Sequence, residues 1–161
     1  MIITKKIIFV IVLTITIPST IAIGVYTLNL LNQTDLSGDP EILPIILNGS
    51  LFENAPRDEV TFRNISLSGD KLILKISYSG GCQEHEFTLI GADVFMESHP
   101  VQTEIVLSHN ANNDLCEALL MDILVFDLSP LKTAYQQDYS NSSGTIRIHL
   151  EGADSEIIYQ F

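Results

Sequence analysis

The side chains best suited to chemistry in this chain gather around its only two cysteines. Cys82 is followed three residues later by His85, and Cys116 comes shortly after His109 and Asp114. Thiolates, imidazoles and carboxylates are the groups that bind zinc or copper, and a thiolate beside an imidazole is the arrangement of a nucleophile with its base. The spacing therefore suggests three kinds of site, which are a disulfide, a metal site and a nucleophilic active site.

A disulfide is the default interpretation of the two cysteines. Their number is even, they form no Cys-x-x-Cys pair, and they lie in the part of the chain that we expect to be exported. A bond between Cys82 and Cys116 would remove both thiolates, so nucleophilic catalysis by either sulfur is not expected. The sequence predicts no catalytic residue, and we do not expect an enzyme.

The two nearby histidines both fall on the apolar face of a predicted strand. Because a buried imidazole needs a polar partner, two interpretations of His85 and His109 stay open. In the first they are structural residues, hydrogen-bonded to Asp114 or to a backbone carbonyl. In the second they form a zinc or copper site that Asp114 or Glu84 completes, with the metal as the only cofactor that the sequence suggests.

Short strand patterns fill the chain after residue 41 and predict an all-β fold. The predicted strands lie within 42–47, 60–66, 72–78, 85–89, 103–109, 119–128, 145–150 and 156–161. One short helix is predicted to start at Ser129 and Pro130. Many short strands without long helices favour an antiparallel β-sandwich, and we expect an immunoglobulin-like arrangement although the chain has no tryptophan.

The start of the chain predicts a membrane segment. Lys5 and Lys6 precede the uncharged, apolar stretch 7–31, which is longer than the roughly 20 residues that a helix needs to cross a bilayer. The positive charges on the amino side place residues 1–6 in the cytoplasm and the remainder of the chain outside. A retained single-pass anchor and a cleaved signal segment, which would give a secreted protein, both stay open.

The polar residues 32–40 are then predicted to be a linker, and residues 41–161 a single extracytoplasmic domain. The chain is acidic, with a formal net charge of −12, and its expected exported part contains all 20 acidic residues but only six of the eight basic ones. Such a surface repels nucleic acid, which we exclude as a partner. The partners that we expect are the membrane, through the amino-terminal segment, and another protein.

Four Asn-x-Ser/Thr triplets are potential glycosylation sites if the chain is exported in a host that glycosylates. They begin at Asn32, Asn48, Asn64 and Asn141. Serine and threonine are common enough in the chain to produce such triplets by chance, and Asn141, in a polar turn, is the best candidate.

A set of short motifs spread over about residues 78–150 resembles a group of short exported prokaryotic proteins for which no activity is known. The motifs are Gly80-Gly81-Cys82-x-x-His85-x-Phe87, Glu97-Ser98-x-Pro100, Leu107-x-His109, Asp114-x-Cys116 and Phe126-Asp127-Leu128-x-Pro130-Leu131-Lys132. Members of this group are often lipoproteins. This chain has no cysteine near the end of its apolar segment, so we do not expect it to be lipid-anchored.

Two functions from different classes follow from the sequence. The first is a membrane-anchored or secreted, non-enzymatic module that binds another protein or contributes to the cell envelope. The second is a metal-binding protein that uses His85 and His109.

Overall fold

The computed structural model describes residues 40–161, which form two β-sheets and two short helices. The strands are β1 (Ile42–Pro44), β2 (Ile46–Leu47), β3 (Thr61–Ser68), β4 (Lys71–Gly80), β5 (Glu86–Gly91), β6 (Val101–Asn110), β7 (Ala118–Asp127), β8 (Thr145–Leu150) and β9 (Ile157–Gln160). The helices are α1 (Gly49–Glu53) and α2 (Ser129–Tyr139). The prediction of a mostly β fold is confirmed.

The strands form a four-stranded sheet in the order β1-β7-β4-β3 and a five-stranded sheet in the order β2-β5-β6-β8-β9. The prediction of a purely antiparallel, immunoglobulin-like sandwich is wrong on strand direction. Three pairings are parallel, namely β1 with β7, β2 with β5, and β6 with β8. The β6–β8 pairing is parallel because β7 lies in the other sheet and α2 then returns the chain, so that β8 enters its sheet in the direction of β6.

The segment 42–47, predicted as one edge strand, is divided between the two sheets. β1 pairs at the edge of the first sheet, β2 pairs at the edge of the second, and Ile45 between them is buried in the core. Pro44 lacks the N–H that a continuous central strand would need, which suits the end of a short edge strand. β1 therefore covers part of the edge of β7 in the first sheet, and β2 covers part of the edge of β5 in the second.

The core lies between the two sheets and is mostly aliphatic, with Phe126, Tyr135 and Tyr159 as its buried aromatic residues. Leu72, Leu74 and Phe126 from the first sheet and Ile105 and Ile148 from the second have no exposed surface and belong to one contiguous cluster. Leu72 and Leu74 on β4 and Ile148 on β8 alternate with exposed or half-buried residues, as the sequence pattern predicts. Ile105 on β6 and Phe126 on β7 each have a buried neighbour instead. The packed core fixes the ends of β4, β5 and β6, where the cysteines and histidines lie.

Helix α2 begins at the predicted position, whereas α1 was not predicted. The Asn48 side chain accepts a hydrogen bond from the Leu51 N–H at 2.9 Å, and this amino-terminal cap stabilises the single short turn of α1. Within residues 40–161 no helix is long and apolar enough to cross a membrane. The predicted membrane segment 7–31 and Asn32 lie outside the described residues.

Candidate functional site

The cysteines and histidines meet at one end of the sandwich, where the loop between β4 and β5 faces the loop between β6 and β7. Cys82 and Cys116 form a disulfide across these two loops, with their Cα atoms 5.8 Å apart. In the neighbouring ladder, Phe87 of β5 lies opposite His109 of β6. The disulfide and the ladder together hold both histidine-bearing segments in one place.

Asp114 organises the two loops through its carboxylate. Oδ2 accepts hydrogen bonds from the N–H groups of Gly81, Cys82 and Gln83 at 2.8–2.9 Å, and Oδ1 accepts one from Cys116 at 2.9 Å. The Asp114 side chain is completely buried. The Cys116 N–H above all, followed by the N–H groups of the opposite loop, holds the pKa of this carboxyl well below its ordinary value. Asp114 is therefore a buried anion that four backbone donors stabilise.

His85 and His109 contact each other directly beside this carboxylate. Nδ1 of His85 lies 2.8 Å from Nε2 of His109, and Nε2 of His85 lies 3.3 Å from Asp114 Oδ2. The remaining nitrogen of His109, Nδ1, lies 3.1 Å from the carbonyl oxygen of Asp58. The side chain of His85 is 3% exposed, and His109 is 1% exposed. All four ring nitrogens thus lie within hydrogen-bonding distance of a partner.

The two ends of this chain of contacts determine how many protons it holds. The Asp58 carbonyl only accepts, so Nδ1 of His109 carries a proton, and the Asp114 carboxylate only accepts, so Nε2 of His85 carries another. A hydrogen bond between the two rings needs one more proton between His85 Nδ1 and His109 Nε2. Three protons on two imidazoles give the pair one positive charge, which the Asp114 anion balances. Burial lowers the pKa of His109.

Gly80, at the end of β4, makes room for this arrangement. A Cβ atom at position 80 would lie 2.4 Å from His85 Nε2 and 3.1 Å from Asp114 Oδ2, so any larger residue would displace the ring. Aromatic packing fixes the rings from the other side. The Tyr78 ring lies 4.8 Å from that of His85, and Phe87 stacks on His109 at 4.5 Å.

The predicted zinc or copper site stays a prediction, and metal binding would compete with these hydrogen bonds. A metal needs an unprotonated nitrogen from each histidine, and the two that face each other are hydrogen-bonded at a separation of 2.8 Å. Asp114 also lies near both cysteine sulfurs, all within 4.8 Å, but the disulfide leaves no thiolate to bind a metal. Glu84, the other predicted ligand, is exposed and takes part through its carbonyl, which accepts a hydrogen bond from Asn112.

Three residues of this site were not predicted. Asp58 supplies the carbonyl to His109 Nδ1, and its carboxylate accepts a hydrogen bond from the Ala111 N–H at 2.6 Å. The Pro56 carbonyl accepts from the His109 N–H at 3.0 Å. Tyr78 packs against both histidines. A sequence does not show which backbone carbonyls will accept hydrogen bonds from side chains. Tyr78 could have been predicted, because the alternation along β4 places it on the same face as the buried residues.

The three predicted glycosylation residues that the structure describes are not part of this site. Asn48 is exposed but its side chain caps α1, Asn64 is exposed on β3, and Asn141 is exposed in the turn before β8.

Neither protein-family models nor curated proteins match the chain. Among solved structures it is similar to a protein of unknown function DUF1344 from Bacteroides vulgatus, with 15% identity and a TM-score of 0.48 over 76% of this chain. It is also similar to a NigD-like immunity protein from Bacteroides caccae, with 15% identity and a TM-score of 0.49 over 74% of this chain. The chain spans 56% and 57% of the length of these two proteins. Similarity at this level gives no information about function.

Proposed function

We propose that the chain is an extracytoplasmic, non-enzymatic binding module that accepts an extended segment of a partner protein at the open edge of β7. The extracytoplasmic placement rests on Lys5 and Lys6 before the apolar stretch 7–31. The non-enzymatic character is supported by the buried Cys/His cluster, whose polar groups are hydrogen-bonded to one another. The open edge of β7 is the observation that carries the proposal.

Strand β7 is paired along its whole length on one side only. β4 lies opposite every residue from Ala118 to Asp127, whereas β1 reaches only Val125, Phe126 and Asp127. Within residues 40–161, positions 118–124 therefore have no strand on their second side. An unpaired edge of this length is a template for strand addition by another chain.

The backbone groups that face this edge can be identified. The Ile45 N–H bonds to the Asp127 carbonyl, so Asp127 directs its backbone groups away from β4. In an antiparallel ladder alternate residues direct their N–H and C=O to the same side, so Leu119, Met121 and Ile123 face the open edge. The Ile123 N–H donates to the Asp122 side chain at 2.7 Å, which is consistent with an amide that no strand partner satisfies.

The same three residues expose large apolar side chains on the outer face of the sheet. Leu119 is 69% exposed, Met121 78% and Ile123 46%. Exposed apolar residues that occur together, rather than singly, are typical of an interaction surface. An incoming strand would bury this surface and satisfy the edge at the same time.

The neighbouring charges define the chemistry of the partner segment. A cavity of about 700 Å³ beside β7 is lined by Met121 and Ile123, by the exposed basic residues Lys75 and Arg63, and by one carboxylate, that of Asp122. A segment that fits has apolar residues at alternate positions and at least one carboxylate on the same face. The apolar residues pack on β7, and the carboxylate pairs with Lys75 or Arg63.

Photo-crosslinking in the organism that makes the protein tests this proposal. With the photoreactive residue at Leu119 of the full chain, we expect crosslinks to an extended acidic and apolar segment of one partner protein. The same residue at Ser66, which is exposed on β3 of the same sheet, serves as the matched control and should not produce that crosslink. Met121→Pro should reduce the Leu119 crosslink by roughly tenfold or more, because proline removes an edge N–H without removing a bond to β4.

Three outcomes would overturn the proposal. They are crosslinks from Leu119 to lipid, crosslinks only to a second copy or to residues 32–39 of the same chain, and a partner crosslink that Met121→Pro leaves unchanged.

A further inference from the structure

A second cavity lies at the opposite end of β6 from the Cys/His cluster. It has a volume of about 750 Å³ and is bordered by the loop of residues 97–100, the last turn of α2 and the turn of residues 141–144. The proposed protein contact at β7 does not use any of these residues. The cavity is large enough for a small organic ligand.

Aromatic rings form one wall of this cavity. Tyr135 and Tyr139, one turn apart on α2, line it with their ring centroids 4.7 Å from each other. Phe95 packs against both rings from outside the lining, at 6.1 Å from Tyr135 and 6.0 Å from Tyr139. Tyr139 is 39% exposed and so presents free ring surface to the cavity. The face of an aromatic ring carries negative potential and attracts cations.

The charges around the cavity have the same sign. The cavity lies at the carboxyl end of α2, where unpaired carbonyls give a partial negative charge, and the last turn of the helix contains no basic residue. Glu97 lines the opposite wall, and the described lining contains no lysine or arginine, with the imidazole of His99 as its one basic side chain. Burial, and then the carboxylates of Glu97 and Asp138, raise the pKa of Tyr139. A positively charged ligand would therefore compensate a negative potential that the lining leaves unbalanced.

Local hydrogen bonds hold both walls in place. The Ser98 hydroxyl donates to the Pro100 carbonyl at 2.6 Å and accepts from the Gln102 side chain at 2.8 Å, which fixes the loop that carries Glu97. On the other side Gly144 lies against the Tyr135 ring, where a Cβ atom would be 2.4 Å from a ring carbon. The site is thus largely preformed, which lowers the cost of binding.

We infer that this cavity binds an organic cation, with the ring of Tyr139 and the carboxylate of Glu97 as its two attractive groups. Both trimethylammonium and guanidinium groups have this chemistry. A free small molecule supplies the first, and an arginine side chain of a peptide supplies the second.

The test is a titration of the full chain in a nonionic detergent, followed through the amide resonance of Gly144. We expect choline to bind with a Kd of about 1 mM or tighter. Its neutral isostere 3,3-dimethylbutan-1-ol should bind at least about tenfold more weakly, because it lacks the charge that the ring and the carboxylate attract. A parallel titration with N-acetylarginine methylamide distinguishes the two sources of the cation by their relative affinities.

Matched variants identify the groups responsible. Tyr139→Leu should weaken choline binding about tenfold, whereas Tyr139→Phe, which retains the ring, should leave it unchanged. Glu97→Gln should weaken binding about threefold, and Glu86→Gln, at an exposed carboxylate on β5, should have no effect. If Tyr139→Leu does not fold, the neutral isostere and Glu97→Gln still decide the question. Equal binding of choline and its isostere, or no binding of either cation at 50-fold above the expected Kd, would overturn the inference.

Discussion

Replacing Cys82 and Cys116 together by alanine is expected to lower the free energy of unfolding by about 3 to 4 kcal/mol. The bond closes a loop with a sequence separation of 34 residues, and without it the unfolded chain regains the conformational entropy that the crosslink removes. The double variant also loses the covalent link between the two loops that Asp114 bridges. Equilibrium unfolding in urea of oxidised wild type and the variant measures the difference.

Reduced wild type is the matched control for this experiment. It keeps both cysteine side chains, so its stability should fall close to that of the double-alanine variant. Equal stability of oxidised and reduced wild type would show that the bond does not stabilise the folded protein. Alkylation of both cysteines in protein that has not been reduced would show that no bond is present.

Asp114→Asn is expected to lower the melting temperature by at least about 5 °C at neutral pH. The amide has one oxygen where the carboxylate has two, and its NH₂ group would face backbone N–H donors that now bond to Asp114. It also removes the anion that balances the charge of the histidine pair. Thermal unfolding of both proteins between pH 7 and pH 2 measures the effect.

The difference in stability between wild type and Asp114→Asn is expected to decrease at acidic pH. Because the folded-state pKa of Asp114 lies below that of the unfolded chain, the unfolded state binds the proton more readily. The stabilisation is complete above the unfolded pKa of about 4 and is lost as the pH falls towards the folded value. The difference in melting temperature between wild type and Asp114→Asn should therefore decrease below about pH 4. Asp154→Asn, at an exposed carboxylate, is the control, and a gap that stays constant down to pH 2 would contradict this account.

Strand positions were predictable from the sequence because local alternation determines them. Leu72, Leu74 and Ile76 alternate with exposed or half-buried residues as the pattern requires, and Ser129 and Pro130 do start a helix. Strand direction was not predictable, because it depends on which sheet each strand joins. Nothing local indicates that β7 leaves the sheet of β6, or that the chain changes sheets at Ile45.

The candidate site shows the same division between local and non-local information. The pattern around Cys82, His85, His109 and Asp114 predicted that these residues meet, and they do. It left metal binding and structural hydrogen bonding open, because both need inward-facing imidazoles. The Asp58 carbonyl lies within hydrogen-bonding distance of His109 Nδ1, and no side-chain pattern reveals that contact. The open edge of β7 was not predicted either. An apolar segment predicts a buried strand, and only the order of strands in the sheet shows that one side of β7 is unpaired.

The Cys/His cluster is either a hydrogen-bonded structural element or a metal centre. The number of protons on its histidine rings distinguishes the two most directly. Long-range proton–nitrogen NMR on protein labelled with ¹⁵N in histidine distinguishes protonated from unprotonated ring nitrogens. The exposed His99 and His149 provide internal references in the same spectrum. At neutral pH we expect three protonated nitrogens among the four of His85 and His109, and the addition of zinc or copper should leave them unchanged. One proton on each ring, together with a change in the ¹⁵N chemical shifts of His85 Nδ1 and His109 Nε2 when metal is added, would contradict the structural role and establish the metal centre.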